Sequence, residues 1–334
     1  MNASLDEDKP VVFGRYPADP DMVHLVVGVT LVLFFLMVVY LKPPVEDLFD
    51  FSRRTQSYPL VEVDSRHDLV SKLQSNDLWD VGAYSEIKPL LISRLPCDFS
   101  DLDIITQKKA FIHTLLPVAL VALAEIEDER AALQLIMQKI SVPVKRFLFD
   151  GEELHWQKGL TRNEIYFLKT ICQKYRTAKV AELLKRVNVV PVSLVLAQGA
   201  LESSWGGSRF ALEGNNLFGI WTWGEKGITP ADREVGKVHK VAIYESLLES
   251  VRAYILMLNR VSAYSYLRQL RVDSMDSLEL VNGLLYYSER RGDYIADIAS
   301  VINSNQLQIY DHCILASTHL AMKGFGQIRI SSLN

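Results

Sequence analysis

The chain is poor in cysteine. Its 334 residues hold three, at positions 97, 172 and 313, with no Cys-x-x-Cys pair and no Cys/His cluster at zinc spacing. A disulfide scaffold and a structural zinc site are thereby excluded. The odd number leaves at least one thiol unpaired, and a single disulfide stays open. The sequence also lacks the Gly-rich phosphate loop ending in Gly-Lys-Ser/Thr and the His-Glu-x-x-His metal helix. No metal and no cofactor is expected. Nor is there a basic surplus: Lys and Arg number 36 against 40 Asp and Glu, for a formal net charge of −4. The first 21 residues hold two basic and five acidic side chains, so the remainder is close to neutral. A nucleic-acid binder needs a basic footprint to neutralise phosphates, and none is present; a neutral or zwitterionic polymer fits better. Internal repeats are absent, as is any long segment that combines low hydrophobicity with high charge.

What is present is apolar surface, at 49% hydrophobic residues, enough to build a core. One stretch stands apart. Met22 to Leu41 is a run of 20 residues without Asp, Glu, Lys or Arg, in which His24 is the side chain that titrates near neutral pH. As a helix it spans roughly 30 Å, the hydrocarbon thickness of a bilayer. Lys42-Pro43-Pro44 ends it, and no small-residue cleavage site follows, so the expectation is a retained anchor rather than a cleaved signal peptide. Lys9 and Arg15 before it and Lys42, Arg53 and Arg54 after it leave the orientation undecided by charge. The division this suggests is a tail over 1–21, a transmembrane helix over 22–41 that places the chain on the cytoplasmic membrane, and a stalk over 42–100 that includes a short amphipathic helix between Asp64 and Leu78. A helical region over 101–176 and a domain over 177–310 follow, with a tail over 311–334.

From Asp101 onward the pattern is helical. Ile104, Ile105, Phe111, Leu115 and Leu116 recur at steps of three and four until Pro117, which is expected to interrupt the helix. Thr161 and Glu164 make a capping box before a helix to about Tyr175. Further helices are predicted over Lys179–Val187, from Pro191, from about Ser246, near 277–287 and over Tyr294–Ser304. Residues 221–244 break the rhythm with turn residues and then Val235, Val238, Val241 and Ile243, which predicts a small β-hairpin. The fold class is therefore mainly α with a small β-hairpin lobe, preceded by a single transmembrane helix.

The helix from Pro191 carries the chemistry. Gln198 and Glu202 are four apart and share a face. Glu202 falls at the helix's C-terminal end, where the helix dipole disfavours a carboxylate, and Trp205 and Phe218 are close in sequence and would add desolvation. Both effects raise a carboxyl pKa, which is what a glycosidase needs of the acid that protonates its leaving oxygen. Position alone also suits an ordinary surface carboxylate near a helix end.

The string around it is more specific. Glu202-Ser-Ser-Trp-Gly-Gly-Ser-Arg-Phe210 followed by Gly214-Asn-Asn-Leu-Phe-Gly-Ile220 resembles the glucosaminidase domain of bacterial peptidoglycan hydrolases (glycoside hydrolase family 73). Tyr254, Leu258-Asn259, Ala263-Tyr264, Leu267-Arg268 and Tyr287-Ser-Glu-Arg-Arg-Gly-Asp-Tyr294 extend the likeness toward the Bax-type branch, over roughly residues 85–310. The resemblance implies a lysozyme-like fold, a peptidoglycan glycan strand as substrate, Glu202 as general acid and Tyr294 facing it across the cleft. It further implies that Gln198, Trp205, Asn215, Asn216, Phe218, Trp221 and Trp223 line the sugar subsites. A second carboxylate is less determined: the hairpin offers Glu225, Asp232 and Glu234, of which Glu234 is preferred, and the substrate's 2-acetamido group is the alternative. Two activities fit, an endo-β-N-acetylglucosaminidase and a lytic transglycosylase, beside a membrane-tethered protein that binds glycan without cleaving it. A peptidoglycan substrate would place the body in the periplasm and the N-terminus in the cytoplasm.

Overall fold

The computed structural model describes residues 59–140, 160–230 and 238–316. The expected tail and anchor over 1–41 lie outside these residues, as do Asp232, Glu234 and the chain beyond 316. The elements in order are β1 (Leu60–Val61), α1 (Arg66–Ser75), β2 (Glu86–Ile87), β3 (Leu91–Ile92), α2 (Ile104–Lys139), α3 (Arg162–Tyr175), α4 (Val180–Arg186) and α5 (Val192–Glu202). They continue with α6 (Arg209–Gly214), β4 (Trp221–Thr222), β5 (Lys240–Val241), α7 (Leu247–Arg260), α8 (Ser265–Asp273), α9 (Ser277–Leu280), α10 (Gly292–Ser304) and β6 (Ile314–Leu315).

The body is mainly helical, organised on two core helices. α2 is 36 residues long, so it runs about 54 Å at 1.5 Å per residue. α5 is shorter but buried on every side from Val192 to Ala200, as an all-apolar helix must be. It packs against α2 and α10. Asp311 holds its N-terminus: the carboxylate accepts from the Ser193 backbone N–H at 2.7 Å and from the Ser193 hydroxyl at 2.6 Å, the favourable end of the helix dipole for a negative charge. Most of the apolar interior is one continuous cluster. A second cluster joins Leu133, Ile136 and Ile140 at the far end of α2 to Phe167, Leu168, Ile171 and Tyr175 of α3 and to Val180 and Leu183 of α4.

Several local signals act as the sequence predicts. Thr161 and Glu164 form a reciprocal capping box at the start of α3, and Ser246 caps α7 through the Glu249 N–H. β4 and β5 pair antiparallel, Trp221 opposite Val241, extended by a bridge from Ile228 to Val241.

Two expectations need correction. Pro117 does not interrupt α2: it sits inside the helix, buried with its neighbours on both sides. A proline in a helix interior typically costs about 3 kcal/mol, and here the packing of α5 and α7 against that stretch outweighs it. Nor is the segment before 101 a stalk along its whole length. From Val63 to Phe99 it inserts Leu69, Leu73, Ile87, Leu91, Ile92 and Phe99 into the main core. β1 pairs with β3, and β2 pairs parallel with β6, Glu86 opposite Ile314, so residues 311–316 belong to the body as well. Among the described residues α2 is the helix long and apolar enough to cross a membrane, and 78% of that apolar stretch is buried inside the body. It is a core helix.

Candidate active site

The turn after α5 is built by its sequence. Ser204, Trp205 and Gly206 take positive φ of 52°, 57° and 80° in succession. The Ser203 hydroxyl locks the turn, donating to the Gly199 carbonyl at 2.5 Å and accepting from the Gly206 N–H at 2.7 Å. A side chain at Gly206 would meet Leu95, Phe111 and Phe99 at 2.6–2.9 Å. Glycine there lets the chain double back tightly against the core, and Glu202, the last residue of α5, is left at the edge of a cleft.

That cleft has a volume of about 1440 Å³. Phe218, Gly219 and Ile220 form the wall beside Glu202, the β4–β5 hairpin contributes Trp221, Trp223 and His239, and α7 with the turn after it contributes Met257, Arg260 and Tyr264. Tyr286 to Arg290 form the opposite lip. Glu202 is half-buried, and its carboxyl pKa is raised, first by desolvation; a hydrogen-bonding interaction with the Tyr294 hydroxyl opposes part of that rise. Gly219, at φ +63°, brings its backbone so close that a Cβ there would fall 3.0 Å from Glu202 Oε2.

Behind the carboxyl group lies a cluster of aromatic rings. Phe218 stacks on Tyr254 with centroids 4.0 Å apart, and Tyr287 stacks on Tyr294 at 5.4 Å. Tyr264 and Tyr254 each approach Tyr287 at 6.0 and 6.5 Å. A buried relay ties them together. Tyr254 donates to Gln198 Oε1, Gln198 Nε2 donates to the Tyr294 hydroxyl at 2.9 Å, and Tyr287 donates to the Phe218 carbonyl at 2.7 Å. Burial and the nearby Glu202 carboxylate push the Tyr264 hydroxyl up to about 12. They push Tyr254, Tyr287 and Tyr294 well above the usual range as well. All four phenols therefore stay protonated while Glu202 titrates.

The structure sorts the residues singled out from the sequence. Glu202, Phe218, Trp221 and Trp223 line the cleft, and Tyr294 faces Glu202 from α10. Trp221 is 51% and Trp223 73% exposed, and Trp221 stacks on His239 at 4.2 Å. Gln198 shares the face of Glu202 as expected, but it is completely buried and spent on the two tyrosines. Asn216 is also spent: its amide donates to the Ile220 and Ala242 carbonyls at 2.9 Å, and its oxygen accepts from the Ile220 N–H at 3.1 Å. Asn215 donates to the Tyr244 carbonyl at 3.0 Å and ends α6 in a left-handed conformation. These three amides build the wall rather than project from it. Trp205 turns away, packed edge-on against Phe111 with the Lys108 ammonium 4.6 Å above its ring. Glu234 lies outside the described residues. Glu225 is described but is not among the groups lining the cleft; Glu289, on the lip, is. Sequence reasoning assigned no role to Tyr254, Tyr264, Tyr287, Arg260 or Glu289. The first three stood in the strings that carry the family likeness, and their recurrence there was the available signal.

Several known proteins are similar to this chain. A family model described as mannosyl-glycoprotein endo-beta-N-acetylglucosaminidase (glucosaminidase) matches residues 177–307. Protein bax of Escherichia coli (strain K12) is 30% identical over 220 residues, covering 62% of this chain and 72% of its own length. Peptidoglycan hydrolase FlgJ of Escherichia coli (strain K12) is 35% identical over 98 residues, 25% of this chain and 31% of FlgJ. Among solved structures, the catalytic domain of the autolysin Auto from Listeria monocytogenes aligns at 24% identity and a TM-score of 0.31, over 43% of this chain and 80% of that one.

Proposed function

The chain belongs to the glucosaminidase family, in the branch that holds Bax, and on that premise we propose that it is a peptidoglycan hydrolase of endo-β-N-acetylglucosaminidase type with Glu202 as general acid. One observation carries the reading: a desolvated carboxyl group at the end of the central helix, opening on a cleft of about 1440 Å³ and backed by tyrosines that stay protonated.

In this reading Glu202 enters the reaction protonated, because burial holds its proton to a higher pH than an ordinary carboxyl group would. It gives that proton to the glycosidic oxygen as the bond from C1 to that oxygen breaks, which leaves positive charge on the sugar ring. The carboxylate that forms is stabilised by the Tyr294 hydroxyl, itself held by Gln198. Tyr294 is a positioning and stabilising group here, because its phenol does not ionise in the working range. The apolar C–H faces of the sugars stack on Trp221 and Trp223, both exposed on the cleft side of the hairpin. The charge at C1 is then met by the substrate's own 2-acetamido oxygen, or by water activated by a second carboxylate, for which Glu234 is the hairpin candidate.

One observation favours a second reading. Among the described residues the other carboxylate on the cleft is Glu289, exposed on the lip. One-acid chemistry of the lytic transglycosylase kind needs no second carboxylate and leaves an anhydro-muramyl end.

The test is a digest of purified peptidoglycan by wild type and by Glu202→Gln, with the fragments read by mass. Fragments with reducing N-acetylglucosamine ends, lost in the variant, support the glucosaminidase. Anhydro ends support the transglycosylase. Equal release by both proteins rejects Glu202 as the acid, and binding without any release identifies a non-catalytic glycan binder. The substrate also carries the proposed location, with residues 22–41 in the cytoplasmic membrane and the body in the periplasm; a C-terminal reporter that is active only in the cytoplasm would overturn it.

A further inference from the structure

Among the described residues the cleft carries an arginine with nothing to balance it. Three arginines line it. Arg209 reaches the Thr229 carbonyl at 2.9 Å and Glu213 at 3.9 Å. Arg290 is paired with Asp297 at 2.6 Å. Arg260, the last residue of α7, has neither an ion pair nor a hydrogen bond among the described residues, and its Nε is buried without a partner. Its surroundings make that costly. Burial pulls the guanidinium pKa down, and the neighbouring Arg176 adds like-charge repulsion. Nor does Arg260 serve as counter-ion to the acid, because the groups acting on Glu202 are its own desolvation and Tyr294.

A half-buried, unpaired arginine in the lining of a cleft suits an anion, since guanidinium binds carboxylate in a planar, two-pronged geometry that water matches poorly. The location sets the chemistry of that anion. Arg260 lines the same cleft as Glu202 and Tyr264, so the anion it meets is one carried by the strand in that cleft. On a glycan strand in which N-acetylglucosamine alternates with N-acetylmuramic acid, the sugar-borne anion there is the lactyl carboxylate. It is free only where no peptide is attached.

We infer that Arg260 binds the free lactyl carboxylate of a muramyl residue held in the cleft, so that the cleft prefers glycan strands stripped of their stem peptides. This rests on the proposed glycan substrate but makes a separate demand on the cleft. Strands of this kind are the product of an amidase that cuts between the lactyl group and the peptide, which places this enzyme's step after that class of reaction.

The experiment uses the full-length protein in detergent, carrying Glu202→Gln so that binding is read without turnover. Four labelled tetrasaccharides are compared by fluorescence anisotropy: N-acetylglucosamine only, alternating with free lactyl carboxylates, alternating with those groups blocked as simple amides, and alternating with stem peptides. The free-carboxylate strand is expected to bind about ten- to a hundredfold tighter than the amide-blocked one, the worth of a hydrogen bond to a charged group. Arg260→Gln should erase that difference, Arg260→Lys should keep part of it, and binding of the uncharged oligosaccharide should not change. Equal binding of free and blocked strands by the parent overturns the inference without any substitution at 260, so it stays testable if a variant misfolds. A preference that survives Arg260→Gln, or one confined to peptide-bearing strands, overturns it too; the latter assigns the site to a stem carboxylate. Failure of the hydrolase reading looks different: wild type releases no fragments while the carboxylate preference remains.

Discussion

Gly219→Ala separates the placing of the catalytic group from the stability of the fold. Two penalties follow from the structure. Gly219 has φ +63°, and an L-residue in the left-handed region typically costs about 1–2 kcal/mol. In a body of this size that corresponds to a fall in Tm of roughly 2–8 °C. The second penalty is local. The new Cβ would stand 3.0 Å from Glu202 Oε2 and 4.0 Å from its carboxyl carbon, with no other neighbour within 4 Å. The strain therefore falls on the carboxyl group, which has to swing aside by some tenths of an ångström. Displacements near 1 Å at a reacting group can cost on the order of a hundredfold, so a loss of about tenfold in kcat is expected, with KM little changed because the tryptophan platform is untouched. The control is Gly292→Ala at the start of α10, where nothing lies within 4 Å of the added Cβ; it should keep full activity and gain up to about 1 kcal/mol from the unfolded state. Initial rates of fragment release and thermal melts decide the matter. If Gly219→Ala shows the fall in Tm and keeps the wild-type rate, the close backbone approach does not position the acid and the reasoning fails.

Three further outcomes follow from the same cluster. Tyr294→Phe removes the hydroxyl whose interaction lowers the Glu202 pKa, so the alkaline limb of the kcat/KM profile should move to higher pH; a limb that stays or moves down contradicts the pairing. Gln198→Leu strips the hydrogen-bond partner from Tyr254 and from Tyr294 at once. At about 1–3 kcal/mol for each buried group left unpaired, denaturant unfolding should show a loss of roughly 2–6 kcal/mol, whereas a neutral variant would mean that the relay is not formed. Glu202→Gln should abolish activity yet stabilise the fold at neutral pH. The sign follows from linkage: burial raises the folded-state pKa, so between the unfolded and folded pKa values the native protein binds more protons and its stability falls as pH rises. The gain from the substitution should be present at pH 7 and vanish below the unfolded carboxyl pKa near 4.3; a gain independent of pH would point to some other cause.

How far the sequence could be read depended on whether a signal was local. The capping box of Thr161 and Glu164 acts within four residues, and it is realised. β2 owes its existence to β6, from Glu86 to Ile314, a pairing of two-residue strands for which no local pattern exists, so the folding of residues 59–100 into the body was not legible. Pro117 misled for the converse reason. Its local cost is real, but tertiary burial of the helix around it decides. The site divides in the same way. Glu202 could be read from the string that surrounds it. The direction of Trp205 could not, because it depends on the successive left-handed residues at 204–206 and on Phe111 and Lys108 from α2.

The physical basis of the raised Glu202 pKa also shifts once the fold is known. From the sequence it rested on the helix terminus and on Trp205 and Phe218. In the structure Trp205 packs away from the carboxyl group, and desolvation is the leading cause, with Gly219 at close range and Phe218 in the cleft wall. The four tyrosines differ from a purely apolar lining. Each carries a hydroxyl, three of them committed: Tyr254 to Gln198, Tyr287 to the Phe218 carbonyl, and Tyr294 between Gln198 and Glu202. An apolar pocket would raise the pKa further but leave the newly formed carboxylate without support at the moment it gives up its proton. A water-filled one would support the carboxylate but let it ionise before the substrate arrives. Fixed phenols that cannot themselves titrate in this range do both parts of the task. The pKa stays raised by burial, and one oriented donor is ready for the charge that develops. Since Tyr294 takes its orientation from Gln198, and Gln198 is held in turn by Tyr254, the demand for an oriented acid reaches back into the core. That accounts for a glutamine that is completely buried one helical turn before Glu202.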